Sequence, residues 1–182
     1  MSKIKLLYLI IPFLLIGCKS DDDGDSNTQG TSELIIGSWE LVEYSRDYSI
    51  NGTEVTGTEQ NITSDYVIRF RNSPQDIAVS GTLTYAVEET ITQNGSSNTT
   101  NFTASIFGDA GEGYHVGNWR IENGNLVTRA YETDPDEEGA FDLITEITEL
   151  TSDNLTLTID NAQYSAPGST QAGTTTLRYV KQ

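Results

Sequence analysis

The chain is poor in cysteine, in histidine and in positive charge, and each scarcity excludes something. Its one cysteine, Cys18, has no partner for a disulfide, so the fold cannot rely on cross-links in an oxidising compartment. With one histidine beside one cysteine, zinc sites built from these ligands are excluded by count. A serine–histidine–acid triad would have to use His115. That residue stands in "GEGYHVGNW", which reads as a glycine-rich loop with the ring exposed to water. Ten lysines and arginines face 27 acids, for a net charge of -17. Such a surface repels nucleic-acid phosphates and anionic membranes, so neither is expected as a partner. Helical periodicity is nearly missing as well, and with no 10-residue helical pattern between strands, parallel βαβ units are excluded.

Other candidate chemistry is weak. Paired carboxylates abound, but a chain this acidic brings some together by chance, so they do not point to glycoside cleavage. The stretch "DPDEEG" at 134–139 could offer oxygens to Ca²⁺ but lacks the ligand spacing of an EF-hand loop, and it reads as solvated loop. Glycines 108, 111, 113 and 117 lack the lysine of a phosphate loop and act as turn formers. Triplets such as Asn61-Ile62-Thr63 reflect threonine-rich strands. No catalytic residue, metal or cofactor is expected.

Long apolar runs are also scarce. The one at residues 6–17 is too short to cross ~30 Å of hydrocarbon, which needs ~20 residues, and Pro12 interrupts it. Lys3 and Lys5 precede it and the small Gly17 ends it, the three zones of a cleaved secretory segment. Leu15-Ile16-Gly17-Cys18 resembles the lipobox of bacterial lipoproteins. The resemblance implies cleavage before Cys18, a diacylglyceryl group on its thiol, and anchoring in the outer membrane. "KSDDDGD" resembles the acidic tether of lipoproteins exported to the cell surface; the other reading is an ordinary solvated linker. The expected organisation is a signal peptide at 1–17, a flexible tether at 18–32 and a β-barrel domain at 33–182. Loss of 1–17 removes two lysines and no acids, moving the charge from -17 to -19.

What the domain does have is alternation with a period of two. Tyr66, Ile68 and Phe70 share a face opposite Arg69 and Arg71. Leu83, Tyr85 and Val87 alternate with polar or small residues, as do Phe102, Ala104 and Ile106, then Leu155, Leu157 and Ile159, then Leu177 and Tyr179. Each pattern suits an antiparallel strand with one wet face. Asn123-Gly124 is a strong hairpin signal, Ser152 to Asn154 marks a reversal, and 92–100 reads as a mobile hairpin tip. Eight or nine strands are expected between residues 36 and 181, with one helical turn at 32–36 capped by Ser32. An all-β, antiparallel up-and-down barrel hides the edges of such a meander. A sandwich is the competitor, but it needs crossovers that these local connections do not supply.

"ELIIGSWELVEY" carries Gly37-Ser38-Trp39, which resembles the Gly-x-Trp signature of lipocalins and bacterial lipocalin-like domains. The resemblance implies that Trp39 plugs one barrel end and that a late arginine, Arg178 by position, packs over its ring as a cation–π pair. "GNWRIENGNLVT" and "DLITEITELTSDNLTLTI" also look lipocalin-like. The Thr-Asp-Tyr motif of true lipocalins is missing, since Thr133-Asp134 is followed by Pro135, and so are the paired cysteines.

Tyr66, Phe70, Tyr85, Phe102, Trp119 and Tyr179 lie on apolar strand faces and are expected to point inward. There they either line a pocket for a small apolar ligand or fill a barrel just wide enough for side chains. The expected function is a surface-anchored, non-enzymatic lipocalin-like lipoprotein holding a small apolar ligand. The alternative is an accessory module of an outer-membrane complex, binding protein or glycan through an insertion at 45–65 that includes Tyr48 and Asn51-Gly52.

Overall fold

The computed structural model describes residues 26–51, 54–130, 141–165 and 170–182. The apolar leader, Cys18, the Thr133-Asp134-Pro135 stretch and the acidic loop at 134–139 lie outside the described residues. A helix, α1 (Ser26–Ile35), leads into the strands β1 (Gly37–Asn51), β2 (Val55–Ser64), β3 (Val67–Phe70), β4 (Asp76–Ser80), β5 (Thr82–Gln93) and β6 (Ser96–Phe107). After a 3-10 turn at Gly108–Ala110 follow β7 (Val116–Glu122), β8 (Asn125–Ala130), β9 (Phe141–Leu150) and β10 (Asn154–Asp160). A second 3-10 turn at Asn161–Tyr164 precedes β11 (Thr170–Lys181).

The alternating strands pair antiparallel with their neighbours, and β11 returns to β1 with Trp39 opposite Lys181 and Asn51 opposite Thr170. That pairing closes an eight-stranded barrel, a lipocalin-like fold, from β1, β3, β4, β7, β8, β9, β10 and β11. The remaining strands, β2, β5 and β6, stand outside the closed ring as a flare on its upper rim. β2 and β3 form one run broken at residues 65–66, and β4 and β5 form another broken at Gly81. Each long run thus serves the barrel with one half and the flare with the other.

Two bulges mark the junction. The register of β1 against β11 skips between Leu41 and Glu43, and that of β2 against β5 skips between Asn61 and Thr63. An extra residue reverses which parity faces inward. Trp39 and Leu41 point into the barrel, and beyond the bulge Tyr44 does. The two extra residues, Val42 and Ile62, are left exposed.

Inside the ring, Trp39, Leu41, Ile68, Phe70, Leu126, Leu143, Leu155, Leu157, Leu177 and Tyr179 are each at most 2% exposed. Burying a leucine this completely contributes about 1.5–3 kcal/mol, so this belt holds the ring shut.

One expectation needs correction, and two are met with more detail. Most of the stretch expected as an inserted loop at 45–65 is paired strand, because Ser45 to Ile50 lie in register with Gln60 to Val55. The hairpin tip expected at 92–100 is present, with Asn94-Gly95 as its turn at φ of 51° and 78°; both centres take the positive φ that a two-residue turn needs. The helical turn expected at 32–36 is present as the last part of a longer helix, α1, that starts at Ser26. α1 packs against β7 and β9, and Ile35 is fully buried. The helix lies across the bottom of the barrel.

Candidate functional site

The Gly-x-Trp end is built by three chain segments meeting at α1. Trp39 is fully buried and its indole Nε1 donates to the Ile35 carbonyl at 2.7 Å. The cation over its ring is Lys181, whose Nζ sits 4.2 Å from the ring centroid. That Nζ also donates to the carbonyls of Leu34 at 3.1 Å and Ile36 at 2.7 Å, the helix end where a cation is favoured. Gly37 has φ of 130°, and a Cβ there would lie 2.8 Å from Lys181 Cε, so the glycine makes room for the lysine stem. Arg178 does not take the expected position. Strand parity turns it outward between the inward Leu177 and Tyr179, and it pairs at 3.4 Å with Glu43 on the wet face.

Of the six aromatics expected inside, Tyr66, Phe70, Trp119 and Tyr179 meet in one packed core. Phe70 and Trp119 stack edge to face at 5.7 Å, and Trp119 Nε1 donates to the Arg71 carbonyl at 2.9 Å. Tyr85 is partly buried against that core. Phe102 keeps the inner-face register, opposite Val87, but is 47% exposed. It belongs to β6, beyond the closed ring.

His115 is also placed differently from expectation. It is 1% exposed, and its Nδ1 lies 3.3 Å from Thr128 Oγ1. Burial pushes its pKa down to about 3, because a charged ring cannot be solvated there. In the loop from 111 to 115, Gly111 and Glu112 are exposed while Tyr114 and His115 turn inward, and Tyr66 Oη holds it by donating to the Glu112 carbonyl at 3.1 Å.

The most concentrated polar chemistry lies at the upper mouth, where only Tyr48 and Tyr85 were singled out from the sequence and Tyr44, Arg46, Glu59 and Tyr114 were not. Beyond the β1 bulge, Tyr44, Arg46 and Tyr48 all face inward. Arg46 Nη1 pairs with Glu59 Oε1 at 3.1 Å, and its Nη2 donates to Gln171 Oε1 at 3.2 Å. Glu59 is 6% exposed and also accepts from Tyr44 Oη. Tyr44 and Tyr114 share a hydroxyl contact of 2.6 Å, and the Tyr85 ring sits 5.2 Å from that of Tyr44. Tyr48 lies flat against Gly57, where any Cβ would strike its ring, and donates to Glu89 Oε2 at 2.9 Å. The Arg46 guanidinium stands 4.7 Å from the Tyr48 centroid.

Burial, then the facing Tyr114 and Glu59, pushes the Tyr44 phenol far above its usual value, and burial raises Tyr114. Burial and the Glu89 contact raise Tyr48 to about 12, and burial raises Tyr164 to about 12. At neutral pH these phenols stay protonated and act as donors. Burial works against the Arg46 charge, but Tyr114 and Glu59 more than restore it. Its Nε is buried without an acceptor. The arrangement is a fixed polar floor with half-open aromatic walls at Tyr48, Tyr85 and Phe102.

Fold and site together define a lipocalin-like barrel whose mouth is extended by a three-stranded flare. No protein-family model, curated protein or solved structure matches the chain.

Proposed function

We propose that this is a lipoprotein anchored through Cys18 at the outer-membrane surface, and that its barrel mouth holds a small, mainly apolar ligand without chemical turnover. The lipobox and acidic tether support the anchoring. The observation that carries the binding role is the half-open wall of Tyr48, Tyr85 and Phe102 above the Arg46–Glu59 pair. The lower barrel is filled by its own side chains, which leaves the mouth as the place for cargo. An apolar body would lose water against Val87, Tyr85 and Phe102, and one polar group on it would meet the fixed donors of the floor. Absence of turnover is supported by His115, which is neutral, buried and in contact with Thr128.

Native mass spectrometry of the full-length chain taken from its own cells tests the cargo. A bound small molecule is expected in the wild type and is expected to be lost in Phe102→Ala together with Tyr85→Ala. A clean unliganded mass in both would refute binding. Labelled palmitate tests the anchor independently, with incorporation expected in the wild type and none in Cys18→Ser.

A further inference from the structure

The flare ends in an unusual edge. β6 is the last strand of the sheet order and, among the described residues, pairs only with β5. It has twelve residues, "SSNTTNFTASIF", with no charge and no proline. Natural edge strands of this length are commonly blunted by lysine, proline or a covering element. Among the described residues only its C-terminal end is covered, where Glu112 Oε2 accepts from the Phe107 N–H at 2.8 Å and the Glu112 N–H donates to the Phe107 carbonyl at 3.2 Å. In the two-residue hairpin, Ser96 bonds back to Gln93, so alternation turns the peptide groups of Ser97, Thr99, Asn101, Thr103 and Ser105 away from β5.

The field around this edge has one sign. β2, β5 and β6 contain Glu59, Glu88 and Glu89 and no lysine or arginine. Glu59 is already paired with Arg46 and Glu89 with Tyr48, whereas Glu88 is exposed opposite Asn101. A groove of about 630 Å³ runs along β2, β5 and β6, lined by the outer-face Thr58, Gln60, Ala86, Glu88, Asn101 and Thr103 and also by Val87 and Phe102.

We propose that β6 takes an extended segment of a partner protein as an added strand, and that this segment carries lysine or arginine on its outward face. Backbone hydrogen bonds to residues 97–105 would give affinity. The groove and Glu88 would select basic side chains. A second copy of this chain fits less well, because two bodies of charge -17 repel one another.

The probe is a fluorescein-labelled peptide of about nine residues, alternating threonine and valine with lysines on one face, titrated into the full-length chain by anisotropy. Saturable binding is expected, several-fold weaker at 200 mM than at 50 mM NaCl. Asn101→Pro removes an outward N–H at an edge position where proline is tolerated, and about tenfold weaker binding is expected. Glu88→Gln should weaken binding several-fold and flatten its salt dependence. A version of the peptide N-methylated on alternate amides repeats the test without altering the protein, and it should not bind. The proposal is overturned if no saturable binding occurs, if a glutamate version binds equally, or if Asn101→Pro and the methylated peptide bind as the parents do. Sedimentation of the chain as a dimer that Asn101→Pro dissolves would also overturn it, by making the occupant a second copy.

Discussion

Lys181 and Arg178 are three residues apart on the last strand, yet parity gives them opposite fates. Lys181 covers Trp39 and satisfies two carbonyls at the end of α1, whereas Arg178 makes an ion pair whose side chains are both more than half exposed. A cation–π contact contributes ~0.5–2 kcal/mol, while exposed pairs contribute ~0–1 kcal/mol. Lys181→Met is therefore expected to lower stability by about 2 kcal/mol in urea unfolding, and Arg178→Met by less than about 0.5 kcal/mol. Equal losses would show that the cation on Trp39 does not matter. His115 makes a different prediction, one that depends on pH. Its folded pKa of about 3 lies below its ordinary 6.5, so on acidification the unfolded chain takes the proton first. The stability from the neutral buried ring is complete above pH 6.5 and is lost as pH falls toward 3, by up to about 1.4 kcal/mol per unit. Urea unfolding between pH 6.5 and 4 should show a steeper decline for the wild type than for His115→Asn, and parallel curves would contradict the burial.

At the scale of elements, the sequence pattern reveals a strand wherever one face is wet and the other dry without interruption. Residues 66–70, 155–159 and 177–179 meet that condition, and their inward residues are in the core. The second half of β1 does not, because the bulge at Val42 reverses parity in mid-strand. An uninterrupted alternation counted from Trp39 and Leu41 puts Tyr44, Arg46 and Tyr48 on the wrong face. Ile62 does the same in β2. For that reason the polar floor at the mouth was hidden while the lower core was plain. The first turns of α1 were hidden for another reason, whereas its end from Ser32 was expected. Its sequence, "SNTQGTSELI", has almost no apolar face, and what holds it is tertiary: Ile35 buried, with Trp39 and Lys181 bonded to its last carbonyls. Local composition reads such a segment as tether. Phe102 was legible as inner-face but not as uncovered, since alternation alone cannot tell a strand of the closed ring from one beyond it.

For the whole molecule, the balance between general repulsion and specific pairing is testable with salt alone. The described residues hold five ion pairs, and only Arg46–Glu59 has both side chains largely buried. Arg71–Asp76 is a bidentate pair with the carboxylate half-buried, and the three exposed pairs contribute little and are screened. Against them stands a net charge of -17, whose self-repulsion weakens when the Debye length shrinks from about 20 Å to about 7 Å between 20 and 200 mM NaCl. The melting temperature is therefore expected to rise by a few degrees over that range, measured by circular dichroism, with most of the rise below 100 mM. If it falls instead, local pairing outweighs global repulsion, and the acidic surface cannot be what keeps the uncharged β6 edge from meeting its own copy. The same salt that steadies the barrel should loosen a basic strand from β6. Two opposite responses in one titration would separate the field of the whole body from the backbone bonds of one edge.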